Sequence, residues 1–223
     1  MKYKANASNN PIESELYLPY YRKTLTYNQI CVDIDEPFRD PSYYRMVTQA
    51  IGELEEGDQV KIKFNSPGGN AWGLISLLNA IKTTDADVVG VIEGECHSAA
   101  SILALHCQQI IVMPYSTMMV HACSYGTAGK DSDIVAHVTH STEWNRKLIE
   151  STYEGFLTPS EIKEVLSGRE FWFDSEEMQK RFEARAKHLE KLAKQEAKET
   201  PTAARKSSKR KTKVATPDIN VAE

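Results

Sequence analysis

Short apolar segments rich in β-branched residues alternate with helix-length segments over residues 30–113, and this alternation constrains the fold most strongly. The apolar segments predict strands over residues 30–34, 60–64, 88–93 and 109–113. The segments between them predict one helix capped by Ser42 and ended by Gly57, a second over 71–82 and a third over 98–105. Because parallel strands need crossover connections, this order predicts an α/β fold with a largely parallel sheet covered by helices.

The rest of the chain is predicted to be mainly helical. A strand-like run over 116–121 precedes a glycine-containing loop and a helix-length segment over 131–156. Thr158, Pro159 and Glu161 form a capping-box pattern, which predicts the start of a further helix. A charged, helix-prone run begins at Glu176, and the final residues have the composition of a disordered segment.

The length and these patterns predict one folded domain. A chain of 223 residues suffices for a single α/β domain with a full core. We therefore predict an N-terminal segment over 1–26, the domain over 27–182 and a charged tail over 183–223 that is first helical and then disordered and basic.

Charge and cysteine usage narrow the class of protein. The opening residues have no apolar signal region, and no stretch approaches the roughly 18 apolar residues of a membrane span. We expect a soluble cytoplasmic protein with reduced cysteines and no membrane association. The formal net charge is −4, although the tail is basic. An isolated Lys/Arg cluster is usually solvated, so nucleic-acid binding is not expected.

Cysteine and histidine side chains raise the alternative of a zinc site. The candidates are Cys96, His97, His106, Cys107 and Cys123. The pairs are adjacent in sequence, and one of them lies within a buried helix, which is unlike known zinc-ligand spacings. We therefore predict no metal and no cofactor.

Ser98 is the first candidate for a chemical role. It lies in GECHSAAS, residues 94–101, between a buried strand and an apolar helix. This position places the hydroxyl at the carboxyl end of a strand, where ligands of open α/β sheets bind, and close to helix N–H groups. The pattern suits a nucleophile, although small residues at a helix start are also common caps and packing residues.

Three further segments could complete such a site. His121 ends the apolar run that begins at Ser116, and Glu170 lies among aromatic residues in SGREFWFD. The turn NSPGG, residues 65–69, allows a substrate to approach the backbone closely. A serine nucleophile needs a base, a group that orients the base and donors for the oxyanion. Each segment taken alone also has an ordinary structural interpretation.

Taken together, these segments resemble the proteolytic subunits of the Clp proteases, in the same order and at similar spacing. FNSPGG (64–69) resembles I-N-S-P-G-G of that family, GECHSAAS resembles its G-x-A-A-S turn, and MPYSTMMVH (113–121) resembles L-P-N-S-x-x-M-I-H. The segment from Gly129 to Ile134 is similar to the entry of the family's long handle helix, and GREFWFDSEEM (168–178) to the region that supplies the acid. The resemblance covers residues 27–178.

The resemblance implies both a fold and a site. The fold is the Clp protease/crotonase-like fold of repeated ββα and βαβ units with a handle helix. The site is a Ser-His-Glu triad, in which Ser98 attacks the peptide carbonyl, His121 takes its proton and Glu170 holds the imidazole. The N–H groups of Gly69 and Ala99 would form the oxyanion hole. Ser101 is the rival nucleophile, and it aligns with a packing position inside the helix.

The resemblance also implies partners. The family forms rings, of six or seven subunits and in some cases two stacked rings, that enclose the sites and admit protein or peptide substrates. A Clp-type ATPase, or capsid and scaffold proteins, are the further partners. Glu in place of the usual Asp, and the F-W-F after it, are closer to the Clp-like proteases of phages and prophages. A phage-encoded chain would act in the host cytoplasm.

Two other functions remain open from the sequence. One is a crotonase-like enzyme that handles acyl-CoA, whose oxyanion hole also uses backbone amides; the triad has no role there. The other is a catalytically inactive ring or scaffold protein, which the altered acid region and the tail would suit.

Overall fold

The computed structural model of the chain describes residues 26–199, with side chains described to residue 195. This part of the chain forms six strands and six α-helices. The strands are β1 (Gln29–Ile34), β2 (Gln59–Ser66), β3 (Asp87–His97), β4 (Gln109–Val112), β5 (Thr117–Val120) and β6 (Phe171–Asp174). The helices are α1 (Arg45–Gly52), α2 (Ala71–Thr83), α3 (Ala99–Ala104), α4 (Asp131–Tyr153), α5 (Pro159–Leu166) and α6 (Ser175–Glu199). Residues 1–25 and 200–223, where the N-terminal segment and the basic tail were predicted, lie outside the described residues.

The strands form one sheet in the order β1-β2-β3-β5-β6, with β4 also paired to β3. Every pair is parallel except β5 with β6. Strand β3 is long enough to serve two neighbours: its residues 89–92 pair with β4, and its residues 95–97 pair with β5. The predicted α/β fold with a largely parallel sheet is confirmed, and the antiparallel β6 is an addition that the pattern analysis did not predict.

The sheet is central to the core because helices cover it. Residues 88–92 of β3 are all buried, as expected for an inner parallel strand. The largest fully buried side chains come from both strands and helices: Tyr153, Phe64, Ile51, Ile62, Leu74, Leu77, Ile92, Leu103 and Met118. The core therefore fixes the carboxyl ends of β2, β3 and β5 relative to one another.

The start of the first helical segment differs from the prediction. Pro41–Tyr44 forms a 3-10 turn, and α1 begins only at Arg45. The predicted cap, Ser42, lies inside this turn, whose first flanking residue is Asp40. The error has a physical cause: Pro41 has its φ fixed by its ring and starts the turn one residue earlier. The predicted end is also wrong, since α1 ends at Gly52 and not at Gly57. Tyr44 and Ile51 of this segment are buried.

Helix α6 crosses the predicted domain boundary at 182/183 without a break. Arg185, beyond that boundary, is only 8% exposed and donates to the carbonyl oxygens of Glu154 and Leu105. The division of the chain into a domain and a tail stays a prediction, and the first part of that tail packs on the body of the domain.

Candidate active site

Ser98 lies at the turn between β3 and α3, in a backbone conformation that few residues adopt. Its φ and ψ are 53° and −116°. A non-glycine residue in such a region is strained and persists only where neighbours hold it. Three hydrogen bonds hold the Ser98 backbone. Its N–H donates to the Met119 carbonyl at 2.8 Å, and its carbonyl accepts from the Ser101 hydroxyl at 2.7 Å and from the Ile102 N–H at 3.3 Å. The turn therefore presents the Ser98 side chain at the carboxyl end of β3.

The glycine turn after β2 packs directly against Ser98. Gly68 has a φ of +100°, and a Cβ added there would lie 2.6 Å from Ser98 Cβ and 2.8 Å from the His97 carbonyl oxygen. Below the turn, Ser66 is fully buried and accepts a hydrogen bond from the Gly68 N–H at 3.2 Å. The absence of a side chain at Gly68 is thus what allows the two turns to meet.

His121 follows β5 directly and reaches the Ser98 hydroxyl. Its Nε2 lies 2.7 Å from Ser98 Oγ, which is hydrogen-bonding distance for a base and the group it deprotonates. Because β5 is parallel to β3 and pairs with its last residues, the two side chains emerge at the same edge of the sheet.

Glu170 precedes β6 directly and faces the other ring nitrogen of His121. Val120 pairs with Phe171 across the antiparallel β5 and β6, so His121 and Glu170 continue that register by one residue. Glu170 Oε1 lies 3.7 Å from His121 Nδ1, and the Glu170 side chain is 50% exposed. This ion-pair distance is longer than a hydrogen bond, and the carboxylate is hydrated.

The two predicted oxyanion donors have free N–H groups. Across residues 26–199, neither the Gly69 nor the Ala99 N–H donates to a backbone or side-chain acceptor. Gly69 is bridged to Phe38, where the Gly68 carbonyl accepts from the Phe38 N–H and the Phe38 carbonyl accepts from Asn70. Ala99 is the first residue of α3, whose opening N–H groups lack helical partners. Within the described residues, neither N–H is therefore committed to another acceptor.

The rival nucleophile, Ser101, is occupied by structural contacts. Its side chain is fully buried, and its hydroxyl contacts the Tyr153 hydroxyl at 2.6 Å as well as the Ser98 carbonyl. Burial also raises the pKa of Tyr153. Ser101 therefore serves as a packing residue between α3 and α4.

The cysteine and histidine side chains considered as zinc ligands are buried or half-buried. Burial raises the pKa of the Cys96 thiol, and it raises that of Cys107 to about 12. In the part of the chain that the structure describes, no group of three or more His, Cys, Asp or Glu side chains could hold a metal ion.

Among the residues that the structure describes, no helix is long and apolar enough to cross a bilayer.

Three contacts near the candidate site could not be predicted from the sequence. Asn145 of α4 is buried and accepts from the Cys123 N–H at 3.2 Å, which ties the segment after His121 to the handle-like helix. His97, beside the candidate nucleophile, contacts Thr117 and Trp172 across the neighbouring strands. The sequence places none of these partners near each other, because they lie 20 or more residues apart along the chain.

The family model and the relatives that this chain is similar to all point to the same protein family. The family model described as Clp protease matches residues 20–181. The chain is 25% identical over 150 residues to ATP-dependent Clp protease proteolytic subunit 1 of Chlamydia pneumoniae, covering 63% of this chain and 78% of that protein. It is 28% identical over 130 residues to the ATP-dependent Clp protease proteolytic subunit of Oltmannsiellopsis viridis, covering 55% and 62%. For a subunit of the same name from Bacteroides fragilis, the identity is 22% over 129 residues, covering 57% and 62%. The chain thus spans somewhat less than two thirds of the last two relatives.

Proposed function

The chain belongs to the Clp protease family, and from this premise we propose that it is a serine endopeptidase in which Ser98, His121 and Glu170 act as a triad. The match over residues 20–181 shows that the chain belongs to this family. Membership supports a peptidase of the Clp type with the α/β fold of the family. The identity of the catalytic residues is the proposal.

The Ser98–His121 contact carries the proposal. A serine hydroxyl is weakly nucleophilic until a base takes its proton, and the 2.7 Å distance from His121 Nε2 suits that transfer. The strained conformation of Ser98 is independent support, since such backbone geometry clusters at functional sites and also occurs at the nucleophile of α/β-hydrolases.

The residues support a two-step acyl transfer. Ser98 Oγ attacks the peptide carbonyl while His121 Nε2 accepts the hydroxyl proton, and the Gly69 and Ala99 N–H groups stabilise the resulting oxyanion. As the tetrahedral intermediate collapses, the C–N bond breaks and His121 donates its proton to the leaving amine. A water molecule, deprotonated by His121, then attacks the acyl carbon. As the bond between this carbon and Ser98 Oγ breaks, His121 returns the proton to Oγ and the carboxylic acid product is released. Glu170, whose Oε1 lies 3.7 Å from His121 Nδ1, orients the imidazole.

Assembly and partners form a second part of the proposal. The names of the relatives describe proteolytic subunits of an ATP-dependent protease. We propose that this chain likewise forms a homo-oligomeric ring of six or seven subunits that encloses its sites, singly or as two stacked rings. A Clp-type ATPase would deliver protein substrates, or, if the chain is a phage-type member, capsid or scaffold proteins would be cleaved in the host cytoplasm.

Fluorophosphonate labelling of the purified protein tests the chemistry. We expect one adduct, mapped to Ser98 by peptide mass spectrometry, and no adduct in Ser98→Ala, in which peptide hydrolysis falls by at least about 10⁴-fold. Ser101→Ala tests the rival nucleophile: its adduct should still map to Ser98, at a lower rate because the bond to the Ser98 carbonyl is lost. An adduct at another serine would overturn the assignment. A folded, assembled protein with no adduct would instead favour an inactive ring or scaffold protein.

Native mass spectrometry tests the assembly separately. A hexamer or heptamer, or twice that number, would support the ring, whereas a monomer would contradict it. Because Ser98→Ala removes only one oxygen atom, it should assemble as the wild type does, so chemistry and assembly can fail independently.

A further inference from the structure

His97 occupies an unusual position for a histidine, because it is the last residue of β3 and directly precedes the candidate nucleophile. The residue is only 7% exposed. Its Nε2 lies 3.0 Å from the Thr117 hydroxyl, and its ring meets the Trp172 ring edge-on, with centroids 5.0 Å apart and planes at 72°. None of the steps of the proposed mechanism uses this imidazole.

The partners of His97 lie on the two strands that carry the rest of the triad. Thr117 is the first residue of β5, which His121 follows directly, and Trp172 belongs to β6, which Glu170 precedes directly. In the sheet, His97 is paired with Met119, and Met119 is paired with Trp172. The side chains of His97, Met119 and Trp172 therefore lie on the same face of the sheet. One side chain therefore connects β3, β5 and β6 at the level of the candidate site.

The charge state of His97 suits a structural contact. Burial lowers the pKa of His97, and the opposing effect of the Glu95 carboxylate is smaller. At neutral pH the imidazole is therefore uncharged, so it can pack its ring against Trp172 and share one hydrogen bond with Thr117 without a charged partner.

Ser98 needs such support. Its backbone lies outside the regions that non-glycine residues favour, so the surrounding structure must hold it. The Ser98 N–H bond to Met119 fixes the backbone to β5, and the His97 side chain adds contacts on the adjoining residue. A shift of about 1 Å in the nucleophile is enough to reduce the rate of acyl transfer strongly.

We propose that His97 is a positioning residue, which holds the Ser98 turn against β5 and β6 through Thr117 and Trp172 and so sets the distance between Ser98 and His121. This inference rests on the proposed function, since the geometry it acts on is that of the triad. It assigns a role to a residue that neither attacks nor transfers a proton.

The rate of inactivation by a fluorophosphonate tests the inference, because it reports on Ser98 and needs no known substrate. Removal of the contact in His97→Ala should lower the maximal inactivation rate by roughly 3- to 10-fold, the size expected for one lost hydrogen bond, and leave the half-saturating concentration unchanged. His97→Gln, whose amide can place a polar atom near Thr117, should recover most of the rate. If His97 had only a general structural role, His97→Ala and His97→Gln would not differ in the maximal inactivation rate while sharing the same half-saturating concentration.

Changes at Thr117 provide the matched pair. Thr117→Val keeps the shape and loses the hydroxyl, so it should slow inactivation, by no more than His97→Ala, which also loses the Trp172 contact. Thr117→Ser should remain close to wild type. The double variant His97→Ala/Thr117→Val should be no slower than His97→Ala, since that variant has already lost the bond to Thr117. Thermal unfolding of each variant establishes that it is folded.

The outcomes distinguish the inference from the proposed function. If wild-type Ser98 does not react, the proposed function fails. If wild type reacts at Ser98 and folded His97→Ala or Thr117→Val reacts at the same rate, the proposed function stands and the positioning role is wrong. If the two single effects add in the double variant, the coupling between His97 and Thr117 is also wrong.

Discussion

At the scale of single residues, steric contact between two backbone turns determines where the nucleophile lies. Gly68 and Ser98 approach so closely that a methyl group at Gly68 would overlap both Ser98 and the His97 carbonyl. The triad geometry thus depends on a residue that carries no functional group.

Gly68→Ala should abolish activity for this reason. Gly57 is the matched control, because it has a similar φ of +96° but no atom within 4 Å of its added Cβ. We expect Gly57→Ala to lose about 1 kcal/mol of stability from backbone strain and to keep its activity. Gly68→Ala should add a clash with the nucleophile and lose at least roughly 100-fold in peptide hydrolysis. Equal activity of the two variants in a hydrolysis assay would contradict this account.

Glu170→Gln should have a moderate effect on the rate. In a buried triad, neutralising the acid lowers kcat by about 10⁴-fold. Glu170 is 50% exposed and 3.7 Å from His121 Nδ1, so water screens its charge. We expect a loss of roughly 10- to 100-fold in kcat, measured with a fluorogenic peptide. A loss as large as that of Ser98→Ala would show that the carboxylate closes on His121 when substrate binds.

At the scale of elements, short antiparallel pairing and helix capping complete the site. Strand β6 has only four residues, yet its pairing with β5 brings Glu170 next to His121. Helix α5 precedes β6, and its start is fixed by the capping box of Thr158 and Glu161, confirmed with both reciprocal bonds. Because Glu170 lies between α5 and β6, the orientation of α5 affects the position of the Glu170 carboxylate.

Glu161 should make the stability depend on pH in the acid range. Hydrogen bonds from Arg181, at 2.8 and 3.0 Å, lower the pKa of Glu161 to about 2. The ordinary value is 4.5, so the charged form is favoured by folding. This contribution is complete above about pH 4.5 and is lost as the pH falls towards 2.

Glu161→Gln is the variant that isolates this charge, because glutamine also satisfies a capping box. We expect its Tm to lie below that of wild type at neutral pH and the two values to converge between about pH 4.5 and 2. Thermal unfolding across this range measures the difference. A gap that persists unchanged down to pH 2 would show that the ion pair with Arg181 is not its source.

At the scale of the whole molecule, α6 closes the side of the fold next to β4, β5 and β6. Met178 is fully buried and Phe182 packs against the core, while Arg185 donates to carbonyl oxygens at the ends of α3 and α4. The predicted boundary at 182/183 falls between two of these contacts.

Arg185→Ala should therefore destabilise the entire domain. It leaves two carbonyl groups without their donor and removes a buried side chain, at a cost of about 2 kcal/mol, or roughly 4 to 8 °C in Tm. Lys187→Ala, on the exposed side of the same helix, is the control and should leave Tm unchanged. If both variants melt as wild type, the residues after 182 do not contribute to the stability of the domain.

The sequence by itself determined the local elements and the type of each candidate group. Apolar periodicity located the strands and helices to within a few residues, because burial of one face imposes a period on the side chains. The capping box located α5, since its hydrogen bonds join residues three positions apart. The ordered motifs around Ser98, His121 and Glu170 indicated the family.

Only the tertiary structure decided how these groups meet. The β5–β6 register, the contact of Gly68 with Ser98 and the link from His97 to Thr117 and Trp172 each join residues 20 or more positions apart. Local patterns carry no information on such pairings, because strand register is selected by the packing of the complete sheet. For the same reason β6, at four residues, could not be predicted: its pairing with β5, and not its own pattern, makes it a strand.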